Sequence, residues 1–261
     1  MHPEERRHRI EEFLQKVEFA SLEDLVGFAG ASAATVRRDL IELESTGSIR
    51  RTHGGARSMN SRTEEFVFSA RDSHQVEEKE AIGRACAELV EPNQSVIIDT
   101  GTTCYHAARH LGDKRLQIVT NSLPVANCFA STGMVEVVVS GGVVYPRLGA
   151  LVGPAAVESL SRIHADLAIM SGSGVTMEGI FNSHALLIDI QRAIIEAAHR
   201  VVFCLDHTKW GRKSVAHICA LEVIDTIVTD GAAPADMVEA LRRQGIEVIV
   251  AGGERPARPV A

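Results

Sequence analysis

Two arginine pairs, Arg37-Arg38 and Arg50-Arg51, stand thirteen positions apart, and His53-Gly54-Gly55 follows the second. Guanidinium groups fork onto phosphate oxygens and onto the acceptor edge of guanine. Residues 32–58 carry five arginines against three acids, although the whole chain has a formal net charge of -7. A basic segment on an acidic body discourages indiscriminate polyanion binding and leaves one surface suited to it. A second set of polar residues lies downstream, where apolar runs end. "SVIID" is followed by Thr100-Gly101-Thr102-Thr103, "LQIVT" by Asn121-Ser122, and "VEVVVS" by Gly141-Gly142. "DLAIM" is followed by Ser171-Gly172-Ser173-Gly174, and "VVFCLD" closes on Asp206 ahead of His207-Thr208-Lys209. Small hydroxyl-bearing loops that open helices can cradle phosphate, and a lysine can meet the same anion. Each loop alone reads as an ordinary turn; five converging on one rim make a pocket for a polyol phosphate.

The elements that must position these residues are legible as patterns. Ile10, Phe13, Leu14 and Val17 recur at helical spacing. A second helix starts at Ser21, with Asp24 in a capping-box-like position and Leu22, Leu25 and Val26 as its apolar side. Gly30 breaks it. Ser32 caps a third helix running to about Ser45 and ended by Gly47. At about 100° per residue, Val36, Leu40 and Leu43 form the buried stripe of that helix. Arg38 then faces outward, with Thr35 and Arg37 on the flanks. Ile49 anchors a short strand, and Gly54-Gly55 turn it into a wing that carries Arg50, Arg51 and His53. A helix after a short turn, presenting its N-terminal residues outward, has the geometry of a recognition helix in the major groove.

The stretch "S-x-x-TVRRDL-x-x-LE-x-x-G-x-I-x-R-x-HGGA" resembles the N-terminal winged helix-turn-helix of DeoR-type bacterial transcriptional repressors. The resemblance implies operator binding through the residues matching Ser32, Thr35, Arg37, Arg38, Arg50, Arg51 and His53. "IDTGTT", "TNS", "SGG", "VGP" and "DHTKWG" also stand in the order of that family's C-terminal sensor domain, which is similar to ribose-5-phosphate isomerase and usually senses a phosphorylated sugar. Carried over by position, the effector-binding candidates are Asp99, Gly101, Thr102, Thr103, Asn121, Ser122, Gly141, Gly172, Gly174, Asp206 and Lys209. Lys79 and Arg147 are further anion-pairing candidates, and "EGIFNSHALL" lies where effector identity would vary.

The expected fold is therefore a small winged helix-turn-helix over residues 1–57, a polar linker over 58–72, an α/β sensor and oligomerisation domain over 73–252, and a flexible tail over 253–261. Alternating strand and helix patterns from residue 79 onward argue for a largely parallel sheet. No apolar run reaches the ~20 residues of a membrane helix, and the charged N-terminus shows no secretory signal. The five scattered cysteines include no CxxC, so neither a disulfide framework nor a metal site is expected. Neither a cofactor nor a catalytic residue set is expected. The leading reading is a cytoplasmic repressor of a carbohydrate operon, a homodimer or homotetramer that binds double-stranded operator DNA and a phosphorylated sugar. Two alternatives remain open. One is a sugar-phosphate isomerase with a DNA-binding head, using Asp99 or Asp206 as base and Lys209 as stabiliser. The other is a protein-interaction module.

Overall fold

The computed structural model describes residues 3–17, 19–46, 48–52, 54–58 and 68–253. The chain divides into two compact units, Met1–Arg71 and Asp72–Ala261.

In the first unit, α1 (Pro3–Val17), β1 (Phe19–Ser21), α2 (Leu22–Ala29) and α3 (Ala33–Ser45) precede β2 (Ile49–Thr52) and β3 (Gly55–Ser58). Ser21 and Asp24 complete a reciprocal capping box at the start of α2, and Gly30 ends that helix in the left-handed region at φ 58. Ser32 caps α3 by accepting from the Thr35 backbone N–H. Val36, Leu40 and Leu43 enter one core with Ile10, Leu14, Leu25 and Ile49. That core accounts for the helical spacing read from the sequence. The wing has a third strand, since β1 pairs antiparallel with β3 and β3 with β2. Gly55 is needed where these strands meet, because a Cβ there would lie 2.1 Å from the Ala20 carbonyl oxygen. His53 and Gly47 lie outside the described residues, as do 59–67 of the expected linker and 254–261 of the expected tail. Of the described residues in the expected linker, Ser58 ends β3 and Phe68–Asp72 form a short helix, α4.

The second unit is a three-layer α/β domain. Its elements are α5 (Val76–Ala87), β4 (Ser95–Ile98), α6 (Thr102–Arg109), β5 (Leu116–Thr120), α7 (Leu123–Cys128) and β6 (Val135–Val139). The hairpin β7 (Val143–Tyr145) and β8 (Ala150–Val152) leads to α8 (Pro154–Leu160) and β9 (Ala165–Met170). Then come β10 (Gly174–Thr176), β11 (Gly179–Asn182), α9 (Ile188–Ala197), β12 (Ala198–Cys204) and β13 (Ala216–Cys219). β14 (Thr226–Thr229), α10 (Ala235–Arg243) and β15 (Glu247–Val250) complete it. Seven strands form one sheet in the order β15-β14-β12-β9-β4-β5-β6, each neighbouring pair parallel. Alternate residues of each strand face opposite layers. Ile97, Ala168, Phe203 and Ile227 pack with α8, α9 and α10; Val96, Leu167, Val202 and Val228 pack with α5, α6 and α7. Both faces of the sheet are covered except along the edge strand β6, which is why the inner strands read as continuous apolar runs.

The helix expected near 184–199 is shorter, because β12 begins at Ala198. A small antiparallel sheet, β10-β11-β13, was not expected from the sequence. The strand order reverses between β4 and β9: the chain runs outward through β5 and β6, then returns to the other side of β4. In open α/β sheets, ligands bind outside the carboxyl ends of the strands at such a reversal.

Candidate nucleic-acid interface and ligand pocket

On α3 the buried stripe leaves Arg37 and Arg38 exposed, and neither forms an ion pair among the described residues. Asp39, adjacent in the chain, turns inward and is 3% exposed. Arg6 clasps it with two hydrogen bonds, Nε to Oδ2 at 2.6 Å and Nη2 to Oδ1 at 3.1 Å. The acid that could have paired with its arginine neighbours is thus engaged elsewhere. Ser32 and Thr35 are tied together, hydroxyl to hydroxyl at 2.9 Å, at the N-terminal end of α3.

The wing arginines differ from each other. Arg50 is exposed. Arg51 is held against α3 by Glu44, which accepts from the Arg51 backbone N–H at 2.9 Å and from Nε at 2.6 Å. The backbone N–H of Arg51 is the main reason the Glu44 carboxyl is held below its ordinary 4.5, with the guanidinium adding to it. A depressed carboxylate stabilises above its ordinary value, and the contribution is lost as pH falls through the lowered one.

The sensor-unit candidates gather at the carboxyl ends of the sheet. Asp99 follows β4 and is fully buried. Its Oδ1 accepts from the Thr100 backbone N–H at 2.7 Å, and its Oδ2 from Gln191 Nε2 at 2.7 Å. Gly101 precedes α6 at φ 141, and a Cβ there would meet Ser171 Oγ at 2.3 Å, so only glycine fits the sheet reversal. It carries no side-chain cap, so the first N–H groups of α6, beside buried Thr102 and Thr103, have the orientation that favours an anion.

Asn121 and Ser122 follow β5 and are both fully buried. The Ser122 hydroxyl caps α7. Among the described residues the Asn121 side-chain amide has a hydrogen-bond partner for neither its oxygen nor its nitrogen. Ser140, at the end of β6, and Asp206 Oδ2, after β12, are also buried without a hydrogen-bond partner among the described residues. The other Asp206 oxygen accepts from the Thr208 hydroxyl and backbone, while Lys209 Nζ stands 3.8 Å from Oδ2. Orphaned buried polar atoms are uncommon in a finished core and mark places where something else supplies the partner.

Not every candidate belongs to this polar group. Gly172 and Gly174 are explained by packing: a Cβ on Gly172 would press on Ile180 at 2.6 Å, and one on Gly174 on the Arg212 carbonyl at 2.0 Å. Gly141 is exposed at the end of β6, and Arg147 is exposed on the β7–β8 turn. Lys79 is buried, its Nζ bonded to the His74 carbonyl at 2.5 Å. His106 is buried between Glu80 and Asp72, and His207 bonds Asp230.

Sequence reasoning missed the polar chain beneath the reversal. Gln191 donates to Asp99 and accepts from Asn182, while the Ser173 hydroxyl bonds to both Asn182 and Ser183. The available signal was one glutamine among the otherwise apolar buried positions of α9, Ile188, Ile190, Ala193, Ile194 and Ala197.

Comparisons with known proteins bear on both units. The DeoR-like helix-turn-helix domain matches residues 6–62, and the DeoR C terminal sensor domain matches residues 74–231. The HTH-type transcriptional regulator GolR of Listeria innocua is 32% identical over 253 residues, covering 96% of this chain and 100% of its own. The glycerol-3-phosphate regulon repressor of Escherichia coli is 32% identical over 248 residues, covering 94% and 97%. The HTH-type transcriptional repressor GlcR of Bacillus subtilis is 31% identical over 250 residues, covering 96% and 97%. The crystal structure of ribose 5 phosphate isomerase A from Neisseria gonorrhoeae overlays 52% of this chain on 53% of its own at 17% identity and a TM-score of 0.39, too slight a likeness to bear on activity. The matched domains span both units, and the chain belongs to the DeoR family of transcriptional repressors.

Proposed function

We propose that the protein is a ligand-responsive repressor of a carbohydrate operon: its first unit binds operator DNA and its second binds a phosphorylated sugar or related metabolite. One observation carries the DNA half. A capped helix buries Val36, Leu40 and Leu43 while leaving Arg37 and Arg38 exposed and unpaired among the described residues. Arg37, Arg38, Thr35 and Ser32 would enter the major groove, with Arg50, Arg51 and His53 on the flanking backbone. In the sensor, the uncapped N-terminus of α6 and Lys209 would take the phosphate. Asn121, Asp206 and Asp99 would take sugar hydroxyls, and Gly101 would allow the close approach. The unpartnered amide of Asn121 supports this reading.

We read the pocket as a receptor and not an active site, because Asp99 is already engaged by Gln191 and Thr100 and the chain's relatives are named as regulators. The protein would act as a homodimer or homotetramer, reading half-sites about 10 base pairs apart or a multiple of that. Exposed Val138, Val139, Val143 and Val144 on the sheet edge and its hairpin supply an apolar face for pairing.

The test is a binding titration against the DNA upstream of its own operon at several salt concentrations, with and without phosphorylated sugars. Preference for that DNA over random duplex, changed by one sugar phosphate, is expected. Equal binding to both duplexes overturns the proposal.

A further inference from the structure

We infer that Ile41 meets a thymine methyl in the bound duplex, one or two base pairs from the base met by Arg38, and so sets part of the operator preference. The inference rests on the DNA-binding reading above. Ile41 sits in the middle of α3 and is 51% exposed, whereas Val36, Leu40 and Leu43 on the same helix are buried. It is absent from the core of its unit.

A single exposed aliphatic residue is ordinary; the neighbours of this one are what matter. At about 100° per residue, Ala34, Arg38, Ile41 and Ser45 fall within about 40° of the direction opposite Val36. All four are exposed. The stripe holds one cation, one branched apolar side chain and two small residues, and no acid. The flanking Ala34 and Ser45 let the longer side chains project beyond the backbone.

That combination fits the floor of the major groove, where the thymine C5-methyl is the apolar group on display beside the hydrogen-bonding edges. A polyanion partner is selected by charge, since Arg37 and Arg38 border the apolar side chain, while Glu42, without an ion pair among the described residues, lies about 100° round the helix from it. Three residues of helix rise about 4.5 Å at 1.5 Å each, slightly more than one 3.4 Å base step. The Arg38–Ile41 pair therefore spans adjacent or next-adjacent base pairs. Ile41 is β-branched and stiff at χ1, so little rotamer freedom is lost on contact.

The experiment uses the full-length chain. A tightly bound duplex is selected from random-sequence DNA, and each thymine is then replaced singly by deoxyuridine, which removes only the methyl group. For the native chain one replacement costs about four-fold in affinity, the worth of one buried methyl at ~0.8 kcal/mol. Ile41→Ala binds the thymine duplex more weakly and is indifferent to that replacement. Its affinity keeps the native dependence on salt, because no phosphate contact has been removed. Ile41→Val retains part of the discrimination. Native binding that ignores every uridine, or an Ile41→Ala chain that keeps the native sensitivity, overturns the inference while DNA binding stands. Failure to enrich any duplex overturns the DNA-binding reading and the inference with it.

Discussion

Arg38 and Arg51 are the same residue type in different circumstances. Arg38 is exposed and unpaired among the described residues, whereas Glu44 already occupies Arg51. Arg38→Ala is expected to cost about 1–3 kcal/mol in binding the selected duplex. Arg51→Ala should cost less, since that guanidinium must leave a carboxylate to reach a phosphate. Titrations at several salt concentrations check this, and equal losses would count against it. Asn121 invites the opposite kind of substitution. Its amide is buried without partners, so Asn121→Leu should leave the ligand-free chain within about 1 kcal/mol of native stability or above it. The same change should remove the melting shift that a phosphorylated sugar gives the native chain. A thermal-shift series reads both effects. The outward arginines were legible in the sequence because one helix and its angular period place them. Gln191 was not. The Gln191 bond to Asp99 spans 92 positions, and no local pattern marks such a pairing.

At the scale of elements, the junction between β4 and α6 is the most constrained. Gly101 combines φ 141 with a Cβ position filled by Ser171 Oγ. Gly101→Ala is expected to destabilise the chain by about 1–3 kcal/mol, measured by urea denaturation, because both the backbone and the neighbouring strand end must shift. Ser21→Ala should remove the α2 capping box at a cost of about 1 kcal/mol. Far-UV circular dichroism through a urea titration reads it. All seven strands of the main sheet were legible as apolar runs; six are largely buried, and the edge strand β6 is apolar although Val138 and Val139 are exposed. The strands β10, β11 and β13 were not: β10 and β11 form a short hairpin of three and four residues, and β11 is completed by pairing with β13, more than thirty positions away. β1 was hidden for the same reason: three residues become a strand when the returning wing lies beside them.

At the scale of the molecule, charge and apolar surface are unevenly placed. The sheet ends on β6, and with the β7–β8 hairpin it exposes Val138, Val139, Val143 and Val144. If that face joins copies, replacing Val143→Asp together with Val144→Asp should shift the protein from a dimer or tetramer to a monomer without unfolding it; light scattering decides. The parallel architecture followed from the alternation of strand and helix patterns. The position of its reversal did not, because strand order is fixed by which strand returns beside β4. The clasp of Arg6 on Asp39 has a mechanical consequence for the first unit. Asp39 follows Arg38 in the chain and sits about 100° round the same helix. Any roll of α3 about its own axis that would re-aim Arg38 must first break both bonds to α1. The clasp is a rotational stop, and Arg38 points where α1 holds it.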